Sequence, residues 1–511
     1  MQALKFNNQF TLELPGDPND SPAERLISNA LFARVAPKKP ASPYLIHYSP
    51  EVAAEIGLDI SECAGKDFVD LFSGSKIMPG MDPHATCYGG HQFGNWAGQL
   101  GDGRAINLGE IDTEKGHLML QLKGAGPTPF SRNADGFAVL RSSLREYLCS
   151  EAMHHLGIRT TRALSLIGTG EQVMRDVLYD GHPELERGAV VCRVSSSFVR
   201  FGHFQMLQAR QEIDLLKRFT DFVIKREYPH LATKEKLDSE NYLAFFSEVS
   251  ERTAEMVVNW MRVGFVHGVM NTDNLSIIGE TIDYGPCAFM DNYDPKTVFS
   301  SIDVAGRYCY ANQPAILVWN LSKLAEALIP LIDDNEQKSI EKLTEVLQAV
   351  MPSFEKYFYS EMGEKLGIDP INQNNINLVK DYLKILDSNS IDFTLSFRDL
   401  SKILNKTKSI EDSVFKNSGD FKKWTEDWMI KIITEKTNLK DITKKMDLTN
   451  PCYIPRNHII EDALENAVND DMNLINEILE LYKNPFDENE YTETFKKPSE
   501  TNTPFVTFCG T

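Results

Sequence analysis

The chain has 511 residues, 42% of them hydrophobic and 25% charged, and a formal net charge of −20 at pH 7. This composition is typical of a globular protein with roughly two to four domains or lobes and excludes a disordered chain. Nucleic acids and anionic membranes repel a strongly acidic protein, because both are negatively charged. We therefore expect neither of them as a partner.

The N-terminus and the cysteines both indicate a cytoplasmic protein. Residues 1–18 lack the basic region and apolar stretch of a signal peptide. No run approaches about 18 apolar residues, so we expect no membrane span. The eight cysteines include no C-x-x-C pair, which argues against a zinc ribbon. Scattered cysteines in a long chain are typical of a reducing compartment.

The N-terminal part of the chain alternates turns, strands and helices. The stretch "SPAERLISNALFARVAP", residues 21–37, predicts a short helix that enters a loop. Residues 81–110 are dense in glycine, and "HLMLQLKGAG", residues 117–126, predicts a strand that ends near Lys123. Residues 135–157 have apolar side chains at helical spacing. The next two segments, "TRALSLIGTG" and "GAVVCRVSSSFV", predict strands.

From about residue 207 the pattern becomes helical. A long amphipathic helix, "NYLAFFSEVSERTAEMVVNWMRVGF", runs directly into the polar loop "VHGVMNTDNLSIIGETIDYGP". The order of glycine loop, strand with lysine, helix, strands, long helix and polar loop indicates an α+β, two-lobed protein-kinase-like fold with an additional helical C-terminal region. The predicted regions are an N-terminal extension (1–80), an N-lobe (81–205), a C-lobe catalytic region (206–320) and a helical region with a cysteine-containing tail (321–511).

The polar loop is similar to the catalytic loop and metal-binding turn of a kinase. A kinase loop has the pattern H-R-D-x-x-x-x-N; here Asn274 lies seven residues after His267, and Asp283 begins an Asp-x-Gly turn. Oxygen atoms of Asn274 and Asp283 suit Mg²⁺, which bridges nucleotide phosphates. Val269 stands where the catalytic aspartate belongs, so Asp273 is the nearest carboxylate that could serve as general base. The alternatives are a capped turn and a structural Asp273.

Lys123 and Glu146 match the strand lysine and helix glutamate that pair in kinase-like folds, where the lysine holds nucleotide phosphates. The glycine-rich segment before them includes Gly101 and Gly103, which allow the backbone to approach phosphate closely. Hairpin turns use the same residues, so a simple turn is the alternative. For Glu146 the alternative is an ordinary surface position.

Several cations predict a pocket for an anion. Arg193 and Arg200 are seven residues apart in a stretch that is otherwise apolar or small, and guanidinium groups suit phosphate. Arg104 and Lys123 raise the number of cations to four. One of the arginines could instead pair with a structural carboxylate. The histidines His84 and His91 fit no zinc pattern and are predicted to be structural.

Six ordered motifs together resemble the selenoprotein O family of protein adenylyltransferases. They are "CYGGHQFGNWAGQLGDGRA", "QLKGAG", "GFAVLRSSLREYL", "RVSSSFVRFGHF", "HGVMNTDN" and "DYGP". The resemblance covers most of residues 80–310, with a weaker match at "YIPRNHIIEDAL" and the tail. It implies a kinase-like fold that binds ATP in a flipped orientation and transfers AMP to Ser, Thr or Tyr hydroxyls of proteins. A reversed nucleotide would also explain Val269, because the reacting phosphorus is then the α-phosphate.

The resemblance also implies roles for matching residues. The residues implied to contact ATP are Gly101, Gly103, Arg104, Lys123, Asp135, Gly136, Arg193, Arg200 and Asp283. Glu146 is implied to pair with Lys123, Asn274 and Asp283 to hold Mg²⁺ or Mn²⁺, and Asp273 to be the base. Cys509 lies in the tail where some members carry selenocysteine, and Cys287 is a candidate redox partner for it or simply a packed residue.

Three other functions stay open from the sequence. The same site could accept UTP and attach UMP, with a preference for Mn²⁺. It could instead transfer the γ-phosphate, although Val269 argues against this. It could also be a pseudokinase module that binds nucleotide without catalysis. We expect protein substrates and a monomeric enzyme.

Overall fold

The structure, a computed structural model, describes residues 4–176, 181–368, 373–434, 438–489, 492–500 and 505–507. The described part is mixed α/β, with one large sheet in the N-terminal part of the chain and helices through most of the rest. This confirms the predicted mixture of helices and strands and the helical C-terminal region.

Most strands belong to one large sheet. The strands are β1 (Gly16–Asp17), β2 (Phe32–Arg34), β3 (Tyr44–Tyr48), β4 (His84–Thr86), β5 (Gly89–Gln92), β6 (Asn95–Gln99), β7 (Ala105–Thr113), β8 (Gly116–Lys123), β9 (Ala138–Val139), β10 (Arg162–Arg175), β11 (Glu184–Ser195), β12 (Phe265–Val266) and β13 (Ala288–Phe289). The order in the large sheet is β1-β2-β4-β7-β8-β11-β10-β3, and β9 pairs with β11. Strands β1 and β2 are parallel, and the other strand pairs are antiparallel. Two small separate sheets are formed by β5–β6 and β12–β13.

The helices flank the sheet and build the C-terminal region. They are α1 (Gln9–Glu13), α2 (Pro50–Glu55), α3 (Ile60–Cys63), α4 (Lys66–Phe72), α5 (Leu140–His155), α6 (Phe201–Ala209), α7 (Ile213–Glu227), α8 (Ser239–Arg262), α9 (Gln313–Ile332), α10 (Glu336–Lys365), α11 (Gln373–Ser388), α12 (Phe393–Leu404), α13 (Gly419–Thr434), α14 (Leu439–Thr449), α15 (Asn457–Val468), α16 (Asn473–Tyr482) and α17 (Thr492–Lys496).

Helices cover both faces of the sheet. Because both faces are buried, the sequences of β8 and β11 are nearly continuous apolar runs. Val190 and Cys192 of β11 point to a core that includes Phe68 of α4. Val191, between them, points to the opposite core, which includes Leu144 of α5. This alternation follows from the two-residue period of a strand. Charged residues on the α5 side of β8 and β11 therefore face into the molecule.

The helix α9 is the most apolar long helix of the chain. The helical stretch Tyr310–Ile332 has the length and composition of a membrane span, but 56% of its apolar window is buried. Leu317, Leu321, Leu324 and Leu328 lie in the main core, where α9 packs against α8 and α10. A core helix that is apolar on most sides is expected to show this composition.

The prediction of a short helix within residues 21–37 is wrong. The described residues there form β2 and extended backbone, without a helix. Asn29 has φ of 51°, which a right-handed helix does not allow. Arg25 instead donates to Asp17 over 2.7 Å, which ties this segment to β1.

Candidate functional site

Lys123 ends β8 on the side of the sheet against which α5 packs. Its Nζ donates to Oε2 of Glu146 on α5 and lies 3.2 Å from Oδ1 of Asp283. The Lys123 and Glu146 side chains are only 9% and 3% exposed. The structure thus brings together the strand lysine, the helix glutamate and the Asp-x-Gly turn.

Arg193 on β11 links the same two carboxylates. Its Nη1 lies 3.0 Å from Oε1 of Glu146 and 2.5 Å from Oδ1 of Asp283. Its Nη2 donates to Oε1 of Gln121, the residue opposite it on β8. Gln121 in turn donates to the Asn107 side chain on β7 over 3.0 Å. A polar row across three strands therefore holds the Arg193 guanidinium in place.

Arg200, just before α6, reaches the other oxygen of Asp283. Its Nη1 donates to Oδ2 of Asp283 and, over 2.8 Å, to the backbone carbonyl of Asp273. Its Nη2 lies 3.7 Å from Oδ1 of Asp102, and its guanidinium lies 4.9 Å from the Tyr88 ring centroid. Arg200 therefore connects the glycine-rich segment, the polar loop and the Asp-x-Gly turn.

Lys123, Glu146, Arg193, Arg200 and Asp283 form one contact network, called here the Asp283 cluster. Burial alone would raise the pKa of Asp283, but attraction to Arg200, Lys123 and Arg193 outweighs it and holds this pKa well below its usual value. Asp283 has φ of 64°, a left-handed conformation that aspartate tolerates better than most residues. The cluster contains three cations and two carboxylates, so it has spare positive charge for an anion.

Asp273 lies beneath the hairpin β5–β6. Gln92 donates to its Oδ2 over 3.1 Å, while its Oδ1 is buried and has no hydrogen-bond partner. A Cβ added to Gly90 would lie 3.0 Å from Oδ1, so the hairpin backbone passes close to this carboxylate. The hairpin is also fixed to the neighbouring residue, because the His91 amide donates to the Thr272 hydroxyl over 2.7 Å. Burial raises the pKa of Asp273 to about 6.

The glycine-rich segment before β7 packs tightly under Phe130. A Cβ at Gly101 would lie 2.6 Å from Cγ of Phe130, and one at Gly103 would lie 2.9 Å from its carbonyl oxygen. Asp102 between them accepts hydrogen bonds of 2.9 and 2.6 Å from the amide and hydroxyl of Thr86. These contacts fix the segment beside Arg200, which approaches Asp102.

Asp135 and Gly136 lie at the same end of the sheet as Lys123. Asp135 accepts two hydrogen bonds of 2.8 and 2.9 Å from Arg175 on β10, a bidentate pair that the sequence analysis missed. Burial alone would raise the pKa of Asp135, but Arg175 and, more weakly, Arg104 lower it. Gly136 has φ of 73° and passes so close to Gly126 that a Cβ would clash with its carbonyl.

Backbone hydrogen bonds join these two groups of residues. The Gly124 amide donates to the carbonyl of Arg104 over 2.7 Å, and the Gly126 amide donates to that of Gly136 over 3.2 Å. The two donors lie one and three residues after Lys123 in the chain. The residues predicted to contact nucleotide therefore converge on the C-terminal end of β8.

Asn274 and Asp283 offer oxygen ligands of the kind that Mg²⁺ and Mn²⁺ prefer. The amide nitrogen of Asn274 donates to the Val269 carbonyl over 3.0 Å, which leaves the amide oxygen on the other side as a ligand. Asp283 is held ionised by its cationic neighbours. The buried Oδ1 of Asp273, beside Asn274, is a further unpartnered oxygen. One carboxylate, one amide oxygen and phosphate oxygens suit such a cation, so the residues present fit it.

The predicted structural histidines are packed. His84 is buried, its Nδ1 lies 2.8 Å from the Asp82 carbonyl oxygen, and its ring stacks on Phe10. His91 contacts Trp96 and Trp319. Both histidines thus have packing partners.

Cys287 is buried near Cys149 on α5, and burial raises the pKa of the Cys287 thiol well above its usual value. Among the described residues both are free thiols. Cys509 lies outside the described residues, so its pairing with Cys287 stays a prediction.

The chain is similar to known proteins over nearly its whole length. A family model described as protein adenylyltransferase SelO matches residues 19–483. A protein nucleotidyltransferase YdiU from Flavobacterium johnsoniae is 45% identical over 513 residues, which cover 97% of both chains. Proteins of the same name from Aromatoleum aromaticum and Xanthomonas euvesicatoria pv. vesicatoria are each 44% identical, over 97% of this chain and 96% of their own. This chain belongs to the SelO family of protein adenylyltransferases.

Proposed function

We propose that this protein transfers AMP from ATP to Ser, Thr or Tyr hydroxyls of proteins and releases pyrophosphate. The family description and the names of the relatives support a protein-modifying nucleotidyltransferase. The observation that carries the proposal is the Asp283 cluster. There, three cations contact a carboxylate that can also bind a divalent cation. A divalent cation held by Asp283 would leave Lys123, Arg193 and Arg200 free to bind phosphate oxygens.

The proposed roles follow from the contacts. Lys123, Arg193 and Arg200 bind the phosphates and stabilise the negative charge that develops on the leaving pyrophosphate. Glu146 holds Lys123 and Arg193 in position. Mg²⁺ or Mn²⁺ would be held by Asn274 and Asp283 and would neutralise phosphate charge. The remaining proposed ATP contacts are Gly101, Gly103, Arg104, Asp135 and Gly136.

Asp273 is the proposed general base. It accepts the proton of the acceptor hydroxyl as the hydroxyl oxygen bonds to the α-phosphorus and the bond from that phosphorus to pyrophosphate breaks. Val269 cannot accept a proton, and its side chain is buried. A base at the kinase position is therefore missing, while a buried carboxylate is present four residues later.

We also propose that the fold is a two-lobed protein-kinase-like fold with the predicted regions 1–80, 81–205, 206–320 and 321–511. The contact of Lys123 at the end of β8 with Glu146 on α5 supports this fold, and so does the Asp-x-Gly turn against both. A monomeric, cytoplasmic enzyme that binds neither nucleic acid nor membrane remains our proposal from composition. Light scattering after size-exclusion chromatography tests the monomer.

The second candidate is UMP transfer from UTP. The relatives' printed name, protein nucleotidyltransferase, does not specify the base. The phosphate contacts of the Asp283 cluster would serve both nucleotides equally. A choice between them depends on contacts to the base, so it has to be measured.

Label transfer tests the function directly. ATP labelled at the α- or the γ-phosphate, and UTP labelled at the α-phosphate, are each incubated with the enzyme and cytosolic proteins, with Mg²⁺ or Mn²⁺. We expect protein label from α-labelled ATP only, lost in Asp283→Asn and kept in Asp294→Asn, which changes an exposed aspartate of the same region. Label from UTP alone would favour UMP transfer, and label from the γ-position would mean a kinase. Bound nucleotide without any label would favour a pseudokinase.

A further inference from the structure

The C-terminal helical region contacts the helix that carries Glu146. Helices α15 and α16 both pack against α5. Leu464 of α15 and Leu144 of α5 belong to the same buried core. The position of Glu146 at the Asp283 cluster therefore depends on residues more than 300 positions later in the chain.

An ion pair forms part of this contact, directly beside Glu146. Arg145 donates from Nη2 to Oε1 of Glu461 on α15, and Nη1 of Arg141 lies 3.4 Å from Oε2 of the same glutamate. The Arg145 side chain is 8% exposed, and its Nη1 is buried without a partner. The Glu461 side chain is 36% exposed, so solvent partly screens the pair, but loss of its charge would leave the buried Arg145 guanidinium without this carboxylate.

The start of α15 is anchored to the segment that follows the Asp-x-Gly turn. Arg456, the residue before α15, is fully buried and donates to Asp392 over 2.8 and 3.2 Å. Its Nη1 also donates to Asp291, eight residues after Asp283. The Asn457 side chain donates over 3.2 Å to the carbonyl of Phe289 in β13. One helix thus contacts both α5 and the segment that follows the Asp-x-Gly turn.

We propose that Glu461 is a positioning residue for nucleotidyl transfer, which holds α5 so that Glu146 stays on Lys123 and Arg193. The proposal rests on the proposed function and gives the C-terminal region a role in it. Arg193 touches both Glu146 and Asp283, so a shift of α5 changes the distance between the two carboxylates that it bridges. Weaker phosphate binding and slower transfer follow from such a shift.

The variant Glu461→Gln tests the proposal, because it removes the charge and keeps the shape. We expect KM for ATP to rise and kcat to fall, with kcat/KM lower by roughly fivefold or more. Hydrogen exchange in residues 140–155 should become faster. Glu461→Asp keeps the charge and should recover part of the rate.

The matched control is Asp470→Asn. Asp470 forms an ion pair with Arg187 on β11, so it also joins the C-terminal region to the sheet but does not touch α5. We expect its kcat/KM to equal that of the unaltered enzyme, with a melting temperature within about 2 °C of that of Glu461→Gln.

Two results would overturn the proposal. One is unchanged kcat/KM in Glu461→Gln. The other is an equal loss in both variants, which would mean general destabilisation. If the unaltered enzyme transfers no label, the proposed function fails. The positioning role of Glu461 is then tested separately, by the affinity for a fluorescent ATP analogue and by the rate of hydrogen exchange in α5. Unchanged affinity and exchange would then refute it.

Discussion

Arg200 and Asp283 form an ion pair, although 83 positions separate them in the chain. This pair and the contacts of Lys123 and Arg193 occupy both carboxylate oxygens of Asp283. In the proposed function, phosphate and Asp283 would compete for the same three cations, and a metal held by Asp283 would favour the contacts with phosphate.

We predict that Asp283→Asn loses transfer by on the order of 100-fold but binds ATP more tightly than the unaltered enzyme when no metal is present. The substitution removes the carboxylate that competes with phosphate, and asparagine accepts the left-handed backbone at this position. Titration of a fluorescent ATP analogue in EDTA measures the affinity. Asn274→Ala is the control: its metal-free affinity should not change, since Asp283 keeps its cations. Weaker metal-free binding in Asp283→Asn would contradict this account.

The pair Gly101→Ala and Gly98→Ala should separate packing from backbone strain. Both glycines have positive φ, of 86° and 74°, so each alanine costs about 1–2 kcal/mol of strain. Only Gly101 lies against Phe130, and the added methyl group should cost roughly 1–3 kcal/mol more. Denaturant unfolding measures the difference. Equal losses would show that Phe130 moves aside freely.

Arg175→Met should raise KM for ATP several-fold and leave kcat nearly unchanged. Arg175 holds Asp135 by two hydrogen bonds, so its loss weakens a proposed nucleotide contact equally in the ground state and the transition state. Steady-state kinetics test this. Arg187→Met removes the ion pair with Asp470 and serves as the control. An unchanged KM would show that Asp135 does not contribute to nucleotide binding.

Glu280→Gln should stabilise the protein above neutral pH. Burial raises the pKa of Glu280 to about 7, and its Oε2 accepts a 2.7 Å hydrogen bond from Ser195. Because the folded protein holds the Glu280 proton more tightly than the unfolded chain does, protonation stabilises the fold. This contribution is fully present below the pKa of the unfolded chain, about 4.5, and is lost as the pH rises through the folded pKa, about 7. We expect the variant to gain on the order of 1 kcal/mol at pH 8.

Unfolding at pH 5 and pH 8 measures this gain. The exposed Glu355→Gln should show no such difference between the two pH values. A variant of Glu280 with the same stability gap at both pH values would contradict the assignment.

The contact between Lys123 and Glu146 could be predicted from sequence, because a strand lysine and a helix glutamate in this order have one common arrangement. The contacts of Gln121 and Asn107 could not be predicted, since an amide side chain in a strand carries no charge and does not mark the apolar period of the strand. Gln121 lies two residues before Lys123, however, and the strand period alone puts both on one face. Arg175 was missed because its partner Asp135 is 40 residues away.

Residues 21–37 show that a local pattern can also predict the wrong element. Their apolar spacing fits a helix, but pairing of β2 with β1 and β4 determines the backbone there. Glu461 belongs to the weak match "YIPRNHIIEDAL", whose importance depends on Arg145, more than 300 residues earlier. Local patterns do not encode such distant partners.

The hairpin β5–β6 has a consequence for how an acceptor protein meets the enzyme. Gly90 covers Oδ1 of Asp273, and Gln92 occupies Oδ2, so neither oxygen is open to an incoming hydroxyl. Residues 95–97, at the start of β6, are exposed. If Asp273 is the base, as we propose, an acceptor has to displace the hairpin before it can lose its proton to Asp273. On this proposal, choice among acceptors depends on how readily each one moves this hairpin, as well as on the residues around its hydroxyl.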